Sequence, residues 1–155
     1  MKLTNTIVIA APACCGKTFA ANNSEYDVLD VEEEMTSFDK KKNGAFTSMY
    51  LHKIKSAIGK KDIVFVAIRP SVMLGMKAMH IKYVLAIPEN TEESMTDWLN
   101  RSKQRGDKLR HIMMPHSKDI FVNLRNDKYA AAKFEIKAGQ YLSDIIDEIV
   151  SSQNK

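Results

Sequence analysis

Residues 6–20 read T-I-V-I-A-A-P-A-C-C-G-K-T-F-A. An apolar run, Thr6–Ala10, enters a short loop of small residues, and the loop ends in Gly16-Lys17-Thr18 before a helix-compatible T-F-A-A. This is the order of a phosphate-binding loop, G-x-x-x-x-G-K-[ST], in which successive backbone N–H groups curl around a phosphate. One position departs from it: Ala11 stands where the first glycine is expected. A methyl group there costs little if the local φ is negative and more if it is positive. The plain alternative is a strand-to-helix turn that spells the motif by chance; the apolar strand before it and the helical pattern after it favour the phosphate loop. In that reading Ala13, Cys14, Cys15, Gly16, Lys17 and Thr18 hold the phosphates of a nucleotide. Lys17 reaches the β- and γ-phosphates, and Thr18 places its hydroxyl on Mg²⁺.

Working outward, 155 residues suffice for one domain with a full core, and 45 % apolar with 27 % charged residues is ordinary for a soluble globular chain. The net charge of +4 suits an anionic ligand but is too small to argue for nucleic acid without a clustered patch. The two cysteines, Cys14 and Cys15, are neighbours and cannot staple distant segments. That favours a reducing, cytoplasmic setting. No apolar run approaches the roughly 20 residues that span a bilayer.

Short β-rich runs recur at Tyr26–Val31, Ile63–Ile68, Tyr83–Ile87 and, more weakly, Ala132–Ile136. Because they lack strict alternation, they read as strands buried on both faces. Between them lie helical patterns: Phe46, Tyr50, Ile54, Ala57 and Ile58 on one face, Ser71–Met79 after Pro70, a segment from Asn90 through Arg105, Lys118–Asn126, and Leu142 through Ile149. Asn90 with Glu93 has the spacing of a capping box. Strands alternating with helices imply crossover units and a mostly parallel sheet covered on both faces.

The stretches A-A-P-A-C-C-G-K-T, V-L-D-V-E, V-A-I-R-P, W-L-N-R-S-K-Q-R-G-D and F-E-I-K-A-G-Q-Y-L-S-D-I-I-D-E-I follow one another in an order that resembles the small P-loop kinases, the adenylate-kinase-like and shikimate-kinase-like enzymes with their short phage-encoded members. The resemblance spans nearly the whole chain, though only the phosphate loop is specific. It implies an α/β three-layer P-loop sandwich with a five-stranded parallel sheet in order 2-3-1-4-5, a single domain over 1–155 with a small lid around 98–117, ATP as phosphoryl donor, Mg²⁺, and a small acceptor in the cleft. One departure matters. These enzymes often carry an acid at the end of the third strand, and here Ala67 stands in its place. Asp30, at the end of the second strand, is the nearest replacement for contact with metal or acceptor, and Glu32 could assist.

Arg69 follows the third run at the same sheet edge, and its planar fork suits phosphate or carboxylate; the plain alternative is a surface arginine ending a strand. Arg101 and Arg105 are four apart and share a helical face. In the resembling enzymes arginines near this place close over the transferring phosphoryl group, whereas the plain alternative is a solvated basic helix end. His52, His80, His111 and His116 show no metal spacing. Trp98 reads as packing on the helix that leads to the lid. Three functions result. The first is an ATP-dependent phosphotransferase acting on a small anionic acceptor, with a nucleoside or deoxynucleoside monophosphate favoured. The second is a nucleotide-binding module without significant turnover, read by a partner protein. The third and weakest is a polynucleotide end kinase; the basic residues lack the interleaved aromatics of a single-strand stacking platform.

Overall fold

The structure, a computed structural model, describes residues 2–35, 43–104 and 117–154. Five strands, β1 (Ile7–Ala11), β2 (Val28–Asp30), β3 (Ile63–Ala67), β4 (Val84–Pro88) and β5 (Lys133–Ile136), pair in parallel in the order β2-β3-β1-β4-β5. This is the order implied by the resemblance. Seven helices are described: α1 (Lys17–Asn23), α2 (Val31–Glu34), α3 (Asn43–Ala57), α4 (Pro70–Ala78), α5 (Glu92–Gln104), α6 (Ser117–Arg125) and α7 (Leu142–Gln153). No helix among the described residues is long and apolar enough to cross a membrane.

The central strands explain the run of unalternated apolar residues. All five residues of β1 and all five of β4 are buried, because helices cover both faces. The edge strand β5 buries only Ile136, which accounts for its weak signal in the sequence. Pro70 opens α4 at its first turn, where a missing N–H costs nothing. One expectation is corrected: the side chain that caps α5 is Thr91, whose Oγ1 accepts the Ser94 N–H at 3.1 Å, and not Asn90. Thr91 stands three residues before Ser94, the spacing an N-cap oxygen needs to reach an unpaired first-turn donor. The short α2, which no sequence pattern announced, begins directly at Asp30.

The order 2-3-1-4-5 puts β1 in the middle, with the chain running to one side of it through β2 and β3 and then to the other through β4 and β5. A crevice forms at such a switch point, outside the carboxyl ends of the strands. Ala11 and Ala67 end β1 and β3 side by side there. At the opposite edge Asp62 is fully buried just before β3. Its carboxylate accepts the backbone N–H groups of Lys2 at 2.7 Å, Leu3 at 2.8 Å and Asp27 at 3.0 Å.

Candidate active site

The loop from β1 to α1 is shaped by two left-handed residues, Cys14 at φ 67° and Gly16 at φ 87°. Ala11 is not one of them. It is a fully buried strand residue paired with Ala67, so its methyl group meets no backbone penalty, and the departure from the glycine pattern is harmless. Gly16 is needed twice over: its φ is one that side chains resist, and a Cβ there would lie 3.1 Å from Cδ1 of Tyr141. Both cysteines are buried. Burial pushes the Cys15 thiol up to about 12, against the opposing pull of the Lys17 and Arg101 charges. A thiol so far from ionising is a small packing residue, not a redox nucleophile.

A cleft of about 850 Å³ opens over this loop. It is lined by the loop residues Ala13, Cys14, Gly16, Lys17 and Thr18, by the acids Asp30, Glu32 and Glu33 with Ala67, and by Phe19, Arg101, Gln104 and Tyr141. Lys17 Nζ donates to the carbonyls of Ala11 at 3.0 Å and Pro12 at 2.9 Å, so the ammonium lies across the loop. Thr18 Oγ1 donates to Asp30 Oδ2 at 3.2 Å. The other carboxylate oxygen, Oδ1, accepts the Glu33 N–H at 3.3 Å and caps α2. Asp30 therefore caps α2 and, through its other oxygen, faces Thr18. A hydroxyl and a carboxylate in contact, with Glu32 and Glu33 on the same wall, are the hard oxygen donors that suit Mg²⁺. Among the described residues no cluster of three or more histidine, cysteine or acidic side chains forms a metal cage.

Arg69 and Glu32 form a two-pronged ion pair: Nε reaches Oε2 at 3.1 Å and Nη2 reaches Oε1. The guanidinium also lies 5.0 Å from the Phe46 ring centre. Burial alone would raise the Glu32 carboxyl, but the hydrogen bond and charge of Arg69, with help from Tyr50 and Lys17, outweigh it and hold Glu32 below the usual carboxylate range. Glu32 lines the cleft and is the residue through which Arg69 is tied to it. Tyr50, fully buried in α3, accepts the Ala67 N–H at 2.9 Å and also contacts Glu32. The strand end that lacks an acid is thus tied through Tyr50 to the acid of α2.

Arg101 is only 9 % exposed. It pairs with Asp97 at 2.7 Å, donates to the Gln140 carbonyl and lies 3.8 Å from the centre of the Tyr141 ring. The solvated helix end weighed for it in the sequence is excluded by this burial. Arg105 lies outside the described residues, as do residues 105–116 of the expected lid. Phe19, Glu33, Gln104 and Tyr141 join the cleft with no motif to mark them. Trp98 is buried as expected of a packing residue, edge-on to Phe121, but its indole also reaches the phosphate loop.

No protein-family model matches the sequence, and no curated protein matches it either. In structure the chain is similar to a shikimate kinase from Acinetobacter baumannii solved in complex with shikimate, with a TM-score of 0.58 and 16 % identity over 97 % of this chain and 96 % of that one. At that identity the likeness is one of fold: the chain folds as a P-loop kinase does.

Proposed function

We propose that the chain is an ATP-dependent phosphotransferase. The observation that carries the reading is the Thr18–Asp30 contact at the mouth of a loop that spells G-K-T and turns through left-handed Cys14 and Gly16. The backbone N–H groups of residues 13–18 hold the phosphates of the donor nucleotide. Lys17 leaves its two carbonyls for the β- and γ-phosphates. Thr18 and Asp30 hold Mg²⁺, which supplies charge neutralisation at the transferring phosphoryl group. Arg101 fixes the Tyr141 ring beside the loop. Transfer then depends on positioning and electrostatics, with little covalent work for the protein.

The acceptor in this reading is small and anionic, a nucleoside or deoxynucleoside monophosphate. Its phosphate takes the fork of Arg69 that Glu32 now fills, since each offers a pair of oxygens to two parallel N–H donors. The shikimate kinase likeness supports phosphotransfer in general and does not choose this acceptor. The test is ADP formation from MgATP across nucleoside monophosphates and small hydroxyl acids. Acceptor-dependent ADP with one of the monophosphates is the expected result; no acceptor-dependent ADP from any of them would overturn the assignment.

One observation favours a second reading, a nucleotide-binding module that a partner protein reads. Ala67 brings no carboxylate to the end of β3, and Glu32, which could replace it, is already paired with Arg69. Magnesium-dependent ATP binding without turnover, together with nucleotide-dependent capture of a partner, would select it.

A further inference from the structure

The indole N–H of Trp98 donates to the carbonyl of Ala13 at 2.7 Å, a contact that spans 85 positions in sequence. A buried tryptophan N–H ordinarily finds some acceptor. The choice of this one has a consequence. The peptide that carries the Ala13 carbonyl also carries the Cys14 N–H, and in a planar trans peptide the two point in opposite directions. With the carbonyl held against α5, the Cys14 N–H is turned away from α5. Cys14 itself adopts φ 67°, a conformation that is costly for a residue with a side chain and persists only where its surroundings enforce it. Ala13 and Cys14 both line the cleft.

Helix α5 is well placed to enforce it. One turn before Trp98, Ser94 Oγ accepts the Ala138 N–H at 3.0 Å, and from the adjacent position Asp97 Oδ2 accepts the Gly139 N–H at 3.0 Å. One turn after it, Arg101 holds the Gln140 carbonyl. The Trp98 ring is 4 % exposed and stands edge-on to Phe121 with ring centres 5.1 Å apart. The indole is thus anchored on both sides and cannot follow the loop if the loop flips.

We infer that Trp98 is a positioning residue of the phosphate loop: its N–H locks the Ala13–Cys14 peptide so that the Cys14 N–H belongs to the phosphate cradle. The inference rests on the phosphate-loop reading and adds a residue that no loop motif contains.

The test measures binding of magnesium tripolyphosphate, which has no base or sugar, by calorimetry, with MgATP in parallel. Trp98→Phe keeps an aromatic edge against Phe121 and removes the N–H. Replacing Trp98 by benzothienylalanine keeps the full indole shape with sulfur in place of N–H. Phe121→Leu loosens the packing and keeps the N–H. Both Trp98 replacements should weaken tripolyphosphate binding about tenfold, the loss of one buried hydrogen bond and the peptide orientation it fixes. Phe121→Leu should lower the melting temperature at least as far and leave tripolyphosphate affinity within about twofold, because packing alone does not aim the peptide. Wild-type affinity in the benzothienylalanine protein would overturn the inference, as would an equal loss of affinity in Phe121→Leu. If Trp98→Phe does not fold, the benzothienylalanine protein decides the matter alone. If the wild-type chain binds neither tripolyphosphate nor MgATP, the phosphate-loop reading falls, and this inference falls with it.

Discussion

The two edges of the sheet use the same chemistry to opposite ends. At the amino-terminal edge, three backbone N–H groups converge on a carboxylate that the chain supplies itself, Asp62. At the carboxyl-terminal edge, the loop of residues 11–18 curls through left-handed Cys14 and Gly16 around a cleft into which it sends no carboxylate of its own. The first arrangement is complete and stabilises the fold. In the proposed function the second receives its anion from outside, as the phosphates of a bound nucleotide. What separates a structural anion nest from a binding one is whether the sequence fills it.

That contrast can be broken at either edge. The largest effect is expected at the open one. Lys17→Ala should cut ATP-dependent turnover by about a thousandfold, roughly 4 kcal/mol of barrier. The fold should stay close to wild type, since the Lys17 Nζ bonds to the Ala11 and Pro12 carbonyls are only part-buried. Turnover and a melting curve measured together check it, and unchanged turnover would remove the loop from the chemistry.

Asp30→Asn comes next. Its amide oxygen can still cap α2 at the Glu33 N–H, so stability should hold. Its lost charge should lower turnover about a hundredfold, near 2.7 kcal/mol. Near-normal turnover would take Asp30 out of the mechanism and strengthen the binding-module reading.

At the closed edge the expected effect is on stability alone. Asp62→Asn offers the Lys2 and Leu3 N–H groups a neutral oxygen and sets its amide NH2, a donor, against the Asp27 N–H, or the reverse; it should cost about 2 kcal/mol by denaturant titration, with turnover per folded molecule unchanged. The same carboxyl gives a pH signature. Burial would raise it, but the N–H groups of Leu3, Asp27 and Lys2 prevail and hold it below its ordinary 3.8. A lowered folded value means its contribution is present above pH 3.8 and lost as pH falls through the folded value. The asparagine variant should lack that acid-side loss. The smallest effect is a gain: Cys14→Gly should relieve the left-handed strain at φ 67° and raise stability by about 0.5–1 kcal/mol, with tripolyphosphate affinity nearly unchanged. A destabilised glycine variant would mean that the Cys14 side chain contributes more than its backbone angle costs.

Much of the open edge was legible in sequence because it is local. The G-K-T motif, the apolar strand before it and the acid ending the second strand lie within residues 6–30, and the strand order followed from the resemblance they carry. What stayed hidden is long-range. Helical spacing shows that Trp98 and Arg101 lie on neighbouring positions of α5, but not that this face meets Ala13 and Gln140. Arg69 was legible as a fork for an oxyanion; that the oxyanion at hand is Glu32, 37 positions away, was not. The closed edge left no motif at all, since any aspartate before a strand looks like a surface charge until Lys2, Leu3 and Asp27 are brought to it.

The loop of residues 11–18 is near the start of the chain, but its backing comes from far along it: the Leu142 N–H donates to the Cys15 carbonyl at 2.8 Å, and Tyr141 stands over Gly16. A ribosome that has released the loop and the first four strands has made every residue of the motif and none of this support. Under the proposed function, competence to hold a nucleotide waits for residues 137–142, and a chain cut before them carries the motif without this support.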